Sequence, residues 1–100
     1  MRVHTEAVQF KADSKLVLFI EEKLGKMTHF FDRIIEANVT LKLENSGQVK
    51  DKITEIRVLI PGHTLVAKST DKSFEASCVA AIESLRRQLH KHKGKRLRRA

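Results

Sequence analysis

From residue 37 to residue 44 the chain alternates without a break, with Ala37, Val39, Leu41 and Leu43 on one side and Asn38, Thr40, Lys42 and Glu44 on the other. A sustained period of two describes a strand that buries one face and wets the other. The pattern returns over residues 53–60, which point Ile56, Val58 and Ile60 inward and Glu55 and Arg57 outward. Asn45-Ser46-Gly47 has the composition of a turn between these runs. Pro61-Gly62 then reverses the chain into a further strand over residues 63–69, with Leu65 and Ala67 on the core side. Such a sheet needs a covering layer on its apolar face only.

The flanking segments supply that layer. Asp13 offers a carboxylate to the free amides of a helix running to about residue 29. At about 100° per residue, Leu16, Phe19, Ile20, Leu24, Met27 and Phe31 share one arc, with Gly25 opposite. A second helix follows the capping pair Thr70-Asp71, and its Phe74, Cys78, Ala81, Ile82, Leu85 and Leu89 fall within about 100° of the circumference. Residues 2–8 alternate weakly through Val3, Thr5 and Ala7 and form the remaining strand. The order is βαβββα, which predicts an α+β two-layer sandwich: a four-stranded sheet with two helices packed on one face. A chain of 100 residues, 41% of them hydrophobic, accommodates one such core and not two. Residues 1–94 are expected to form a single domain and residues 95–100 a basic C-terminal tail.

Several classes of function are disfavoured. No run of about 18 apolar residues exists to span a bilayer. Met1-Arg2-Val3-His4-Thr5-Glu6 lacks the apolar stretch of a secretion signal, which makes the cytoplasm the expected location. Cys78 is the only cysteine, sits beside Ala76, Val79, Ala80 and Ala81 in what looks like helix interior, and reads as a buried structural thiol suited to a reducing compartment. His90 and His92 are two apart and diverge by about 160° on a helix, a poor chelate, and His4, His29 and His63 are isolated in sequence. Carboxylates are scattered, Glu21-Glu22 being helix neighbours and Asp32, Glu36 and Glu44 lying on different elements, and no glycine-rich phosphate loop occurs. The expectation is a protein with no catalysis, no cofactor, no metal and no small-molecule substrate.

Charge points elsewhere. Residues 83–100 hold eight Lys/Arg and one Asp/Glu, a balance of +7 out of a total of +8. Arg86, Arg87, His90, Lys91 and Lys93 occupy the arc of the second helix away from its apolar stripe, and no acid follows Glu83. Cations along one helix face are spaced to meet phosphates and to release their counterions. Membrane binding fits less well, because the apolar face is needed to cover the sheet and no Trp or Tyr is present. On the first helix, Lys15 and Lys26 lie on one flank of the apolar stripe and Lys23 at its edge. Such lysines either snorkel over the core or extend a basic surface between the helices. Arg33 either joins that patch or pairs with Asp32. The outward sheet residues Asn38, Thr40, Lys42, Glu55 and Arg57 include no ring, so a base-stacking platform is absent and recognition is expected to rest on backbone and shape.

The segments "EEKLGKMTHFFDRI", "ANVTLKLE" and "LRRQLHKHKGK" resemble the ribosome hibernation promoting factors, also called ribosome-associated inhibitor or sigma-54 modulation proteins. The resemblance covers essentially the whole chain, and its most specific parts are Phe31-Asp32-Arg33-Ile34 and Arg87-Gln88-Leu89 followed by Lys91-His92-Lys93. It implies binding to the small ribosomal subunit and its ribosomal RNA, in the channel where messenger and transfer RNA would lie, and steric inhibition of translation when growth stops or under stress. Matched by position, the implied RNA-facing residues are Lys23, Lys26, Arg33, Arg87, Lys91, Lys93 and Lys95. Arg86, where relatives can carry a neutral residue, joins them on electrostatic grounds, and Arg96, Arg98 and Arg99 in the tail add charge. The stretch "TDKSFEAS" departs from several relatives in having Phe74 in place of a tyrosine. The chain resembles the short form, expected to be monomeric when free, and ribosome dimerisation by this protein alone is not implied. The alternative is a general double-stranded RNA-binding module or RNA chaperone without ribosome preference.

Overall fold

The computed structural model describes residues 1–29, 31–46 and 49–98, and the side chains of all of these except residues 45, 46, 49, 50 and 93–98. Its elements are β1 (Arg2–Ala7), α1 (Ser14–Gly25), a 3₁₀ turn (Lys26–His29), β2 (Glu36–Ser46), β3 (Val49–Ile60), β4 (His63–Asp71) and α2 (Phe74–Arg98). The strands lie side by side in chain order, β1 parallel to β2 and the other neighbours antiparallel. The one parallel pair is joined by the α1 crossover that such pairing requires. This is the predicted α+β sandwich, with both helices on one face.

Register builds the core in rows. Val3, Ala37, Val58 and Leu65 are successive cross-strand partners, as are Thr5, Val39, Ile56 and Ala67. Ile20, Leu24 and Met27 from α1 and Cys78, Ala81, Leu85 and Leu89 from α2 close over them and are essentially inaccessible. A third row runs Ala7, Leu41, Thr54, Ser69. Here the buried hydroxyls of Thr54 and Ser77 lie 2.6 Å apart. Ser77 Oγ donates to the Phe74 carbonyl at 3.2 Å, so its single proton is committed and Thr54 is the donor of the shared bond.

The turn before β4 follows from composition. Pro61 fixes the first central position, and Gly62, at φ 80°, takes the left-handed second position that a type II turn demands. The turn expected at Asn45-Ser46-Gly47 falls partly outside the described residues, although Ser46 and Val49 pair directly on either side of it. Between β1 and α1, Gln9 adopts a left-handed φ of 63°, and Phe10 stacks on Phe74 with centroids 5.2 Å apart. The first connection is thereby pinned to the start of α2.

Several boundaries differ from the sequence reading. α1 is capped by Asp13, whose Oδ1 accepts the Leu16 amide at 2.9 Å, as expected. It ends at Gly25 and not near residue 29, because the Thr28 hydroxyl donates to the Gly25 carbonyl at 2.7 Å and tightens the next turn to 3₁₀. The cap of α2 is Ser73, whose Oγ accepts the Ala76 amide at 3.1 Å, and not Thr70-Asp71. Those two residues still pair with Ile53 and Lys52 as the end of β4, and Asp71 Oδ1 accepts the Lys72 amide at 2.7 Å. Leu43 shares the parity of the core row yet is 43% exposed, since the buried cluster stops at Leu41. α2 continues past Gly94 to Arg98, so Lys95, Arg96 and Arg98 lie on the extended helix backbone.

Candidate nucleic-acid interface

α1 and α2 lie beside each other on the sheet, and a groove of about 310 Å³ runs between them. On α2, Val79, Ile82, Glu83 and Arg86 line it, a spacing of i, i+3, i+4, i+7 that places all four on one helix face. Lys23, Lys26 and Met27 line it from the other side. Met27 and Ile82 are buried at its base, and Val79 stands 41% exposed in its wall. The rim therefore carries three cations and one carboxylate over an apolar floor.

Each cation is held differently. Lys23 is half-buried, its ammonium 5.5 Å from the centroid of the Phe19 ring, within the range of a cation–π contact. The two roles left open for it thus coincide: the stem covers apolar surface and the charge borders the groove. Lys26 is exposed on the 3₁₀ turn. Arg86 Nη1 lies 3.9 Å from Glu83 Oε1, both side chains being about half exposed (54% and 53%), so this i,i+3 pair is screened and contributes little. Beyond the groove, Arg87 and Lys91 are exposed one turn apart on α2. The side chains of Lys93, Lys95, Arg96 and Arg98 lie outside the described residues, as does Arg99 altogether.

The structure brings together Lys23, Lys26 and Arg86 from the expected set. Arg33 is exposed in the loop before β2 and is not among the residues of the groove, and among the described residues no ion pair joins it to Asp32. Lys15 borders a different hollow, with Asp13, Leu16, Phe19 and Glu75. His63 is not isolated: its ring sits 5.2 Å from that of His92, which in turn meets the edge of Phe31 at 6.2 Å. Sequence reasoning missed Val79, Glu83, Met27 and Ile82 as groove residues. The available signal was the helical phase that Val79 and Glu83 share with Arg86.

The opposite face of the sheet has a different electrical character. Arg2, Lys42, Arg57 and Lys68 are interspersed there with Glu6, Glu36, Glu44 and Glu55. Arg2 lies 3.5 Å from Glu36, and Glu55 and Lys68 are direct cross-strand partners. Among the described side chains, the charges of this face nearly cancel. No described helix is long and apolar enough to cross a membrane.

Solved structures share this architecture. A ribosomal subunit interface protein from Coxiella burnetii superposes with a TM-score of 0.85 at 20% identity, over 94% of this chain and 99% of that one. The N-terminal domain of Protein Y from Thermus thermophilus does so with a TM-score of 0.79 at 22% identity, over 92% and 99%. The fold is thus a βαβββα sandwich of an established class. The chain belongs to the family described as Sigma 54 modulation protein / S30EA ribosomal protein, which matches residues 3–97. Among similar proteins, the ribosome hibernation promoting factor of Pseudomonas putida is 30% identical over 95 residues, covering 95% of this chain and 89% of that protein. That of Escherichia coli strain K12 is 31% identical over 77 residues, 77% of each.

Proposed function

We propose that this protein is a ribosome hibernation factor that binds the small ribosomal subunit through its helical face, fills the channel used by messenger and transfer RNA, and inhibits translation sterically in stationary phase or stress. The observation that carries this reading is a cluster of cations on the helical side: Lys23, Lys26 and Arg86 border a single groove, and Arg87 and Lys91 stand exposed on the same α2, while the described charges of the sheet face nearly cancel. The names of the relatives, hibernation promoting factors and a subunit interface protein, favour a ribosomal partner over naked duplex RNA. Contacts are to ribosomal RNA phosphates, which position a protein without reading sequence, and shape supplies the selectivity. Lys93 and Lys95 extend the contact along α2, Arg33 adds to it from the loop before β2, and residues 95–100 supplement the charge of a binding unit spanning residues 1–94. No cofactor or catalytic step is involved. The protein acts in the cytoplasm, as a monomer until it meets the subunit.

Replacing Arg87, Lys91 and Lys93 together by Glu is expected to abolish cosedimentation with purified small subunits while leaving the circular dichroism spectrum unchanged. Undiminished cosedimentation would overturn the assignment of this face. Displacement of the wild-type protein from subunits by excess duplex RNA at moderate salt would instead favour a general RNA-binding module.

A further inference from the structure

The groove between the helices has a composition that phosphate binding alone does not call for. Its cations stand at the rim, but its floor is Met27 and Ile82 and its wall carries the exposed methyls of Val79. Glu83 lies along the α2 wall. A phosphate lowered onto the floor would be desolvated against apolar carbon and brought close to that carboxylate. A neutral, flat, partly apolar group would meet neither penalty. At about 310 Å³ the hollow falls at the small end of the roughly 300–1,000 Å³ range of ligand sites. Val79, a large apolar side chain left 41% exposed on α2 among charged neighbours, is covered by no described part of the chain.

We infer that this groove is a receptor for one unpaired RNA nucleotide, its base laid on Val79 and Ile82 and its flanking phosphates held by Lys23, Lys26 and Arg86. The inference rests on the proposed RNA-binding reading and deepens it. A perfect duplex turns its bases inward and offers the groove only phosphates, whereas loops and bulges present bases that can be splayed out. The helical face therefore combines two kinds of contact. Arg87 and Lys91 supply charge that any polyanion satisfies, and the groove supplies selection for a nucleotide out of the stack. The excess of cations at the rim selects an anionic chain over an apolar peptide.

The test uses the full chain and two RNA hairpins of equal length, one with a perfectly paired stem and one with a single bulged 2-aminopurine, followed by anisotropy and by emission of the reporter base. The wild-type protein is expected to bind the bulged hairpin about tenfold more tightly, or about 1.4 kcal/mol, and to change the reporter's emission. Val79→Gln removes the apolar wall at an exposed helical position without altering charge. It is expected to reduce the preference to less than about twofold and to leave affinity for the paired hairpin unchanged. Lys26→Gln is expected to weaken both hairpins and to keep the preference.

Equal binding of the two hairpins by the wild-type protein, or a preference that survives Val79→Gln, would overturn the inference. Competition by adenosine 5′-monophosphate alone as effective as by the bulged hairpin would also overturn it, by assigning the groove to free nucleotide. Equal hairpin binding combined with loss of subunit cosedimentation in the Arg87, Lys91 and Lys93 reversal removes only the groove assignment. Cosedimentation that survives that reversal removes the reading beneath it.

Discussion

Cys78 shows what burial does to one ionisable group. Its side chain is fully enclosed, and its thiol is pushed up to about 11 from 9.0, first by burial and then by the carboxylate of Glu75, with the Lys23 ammonium pulling the other way. The folded chain therefore holds this proton after the unfolded chain has released it. The resulting stability is fully present below about pH 9 and is lost as pH rises towards about 11. Across that window the unfolding free energy of the wild-type protein is expected to fall by roughly 2–3 kcal/mol more than that of Cys78→Ala in urea titrations. Identical pH profiles for the two proteins would contradict this account. The same burial makes the thiol a structural group and a poor nucleophile, since the thiolate is the reactive form.

Among elements, the docking of α2 on β3 depends on a polar contact within an apolar layer. Thr54 donates to Ser77, which already donates to the Phe74 carbonyl, and the two hydroxyls are not interchangeable. Ser77→Ala strands the Thr54 hydroxyl in the core and is expected to cost about 1–3 kcal/mol. Thr54→Val leaves Ser77 with its own acceptor and is expected to cost less. Urea unfolding of both variants decides it, and a larger loss for Thr54→Val would reverse the donor assignment. The elements themselves were legible because alternation and helical phase are properties of consecutive residues. Their ends were less so: the Thr28 hydroxyl shortens α1, and pairing with β3 carries β4 through Thr70 and Asp71 so that Ser73 becomes the cap. The groove was least legible. Each helix declares its apolar stripe in sequence, but the offset between two helices, which brings Lys23 and Lys26 opposite Arg86, is set by the sheet beneath them.

Taken whole, the chain concentrates +7 of its net +8 in residues 83–100. If about six cations engage RNA phosphates, the logarithm of affinity for small subunits is expected to fall against the logarithm of salt with a slope near −5. Equilibrium binding between about 50 and 200 mM monovalent salt measures it, and a slope near zero would mean that shape alone holds the complex. The ladder of opposite charges on the strands, with Arg2 against Glu36 and Glu55 across from Lys68, has a kinetic consequence. Because the described charges of that back surface nearly cancel while +7 of the net +8 lies in residues 83–100, the charge along the chain is distributed unevenly. A polyanion exerts a torque on such a body before contact, turning it α2-first, so added electrolyte slows arrival as well as loosening the bound state.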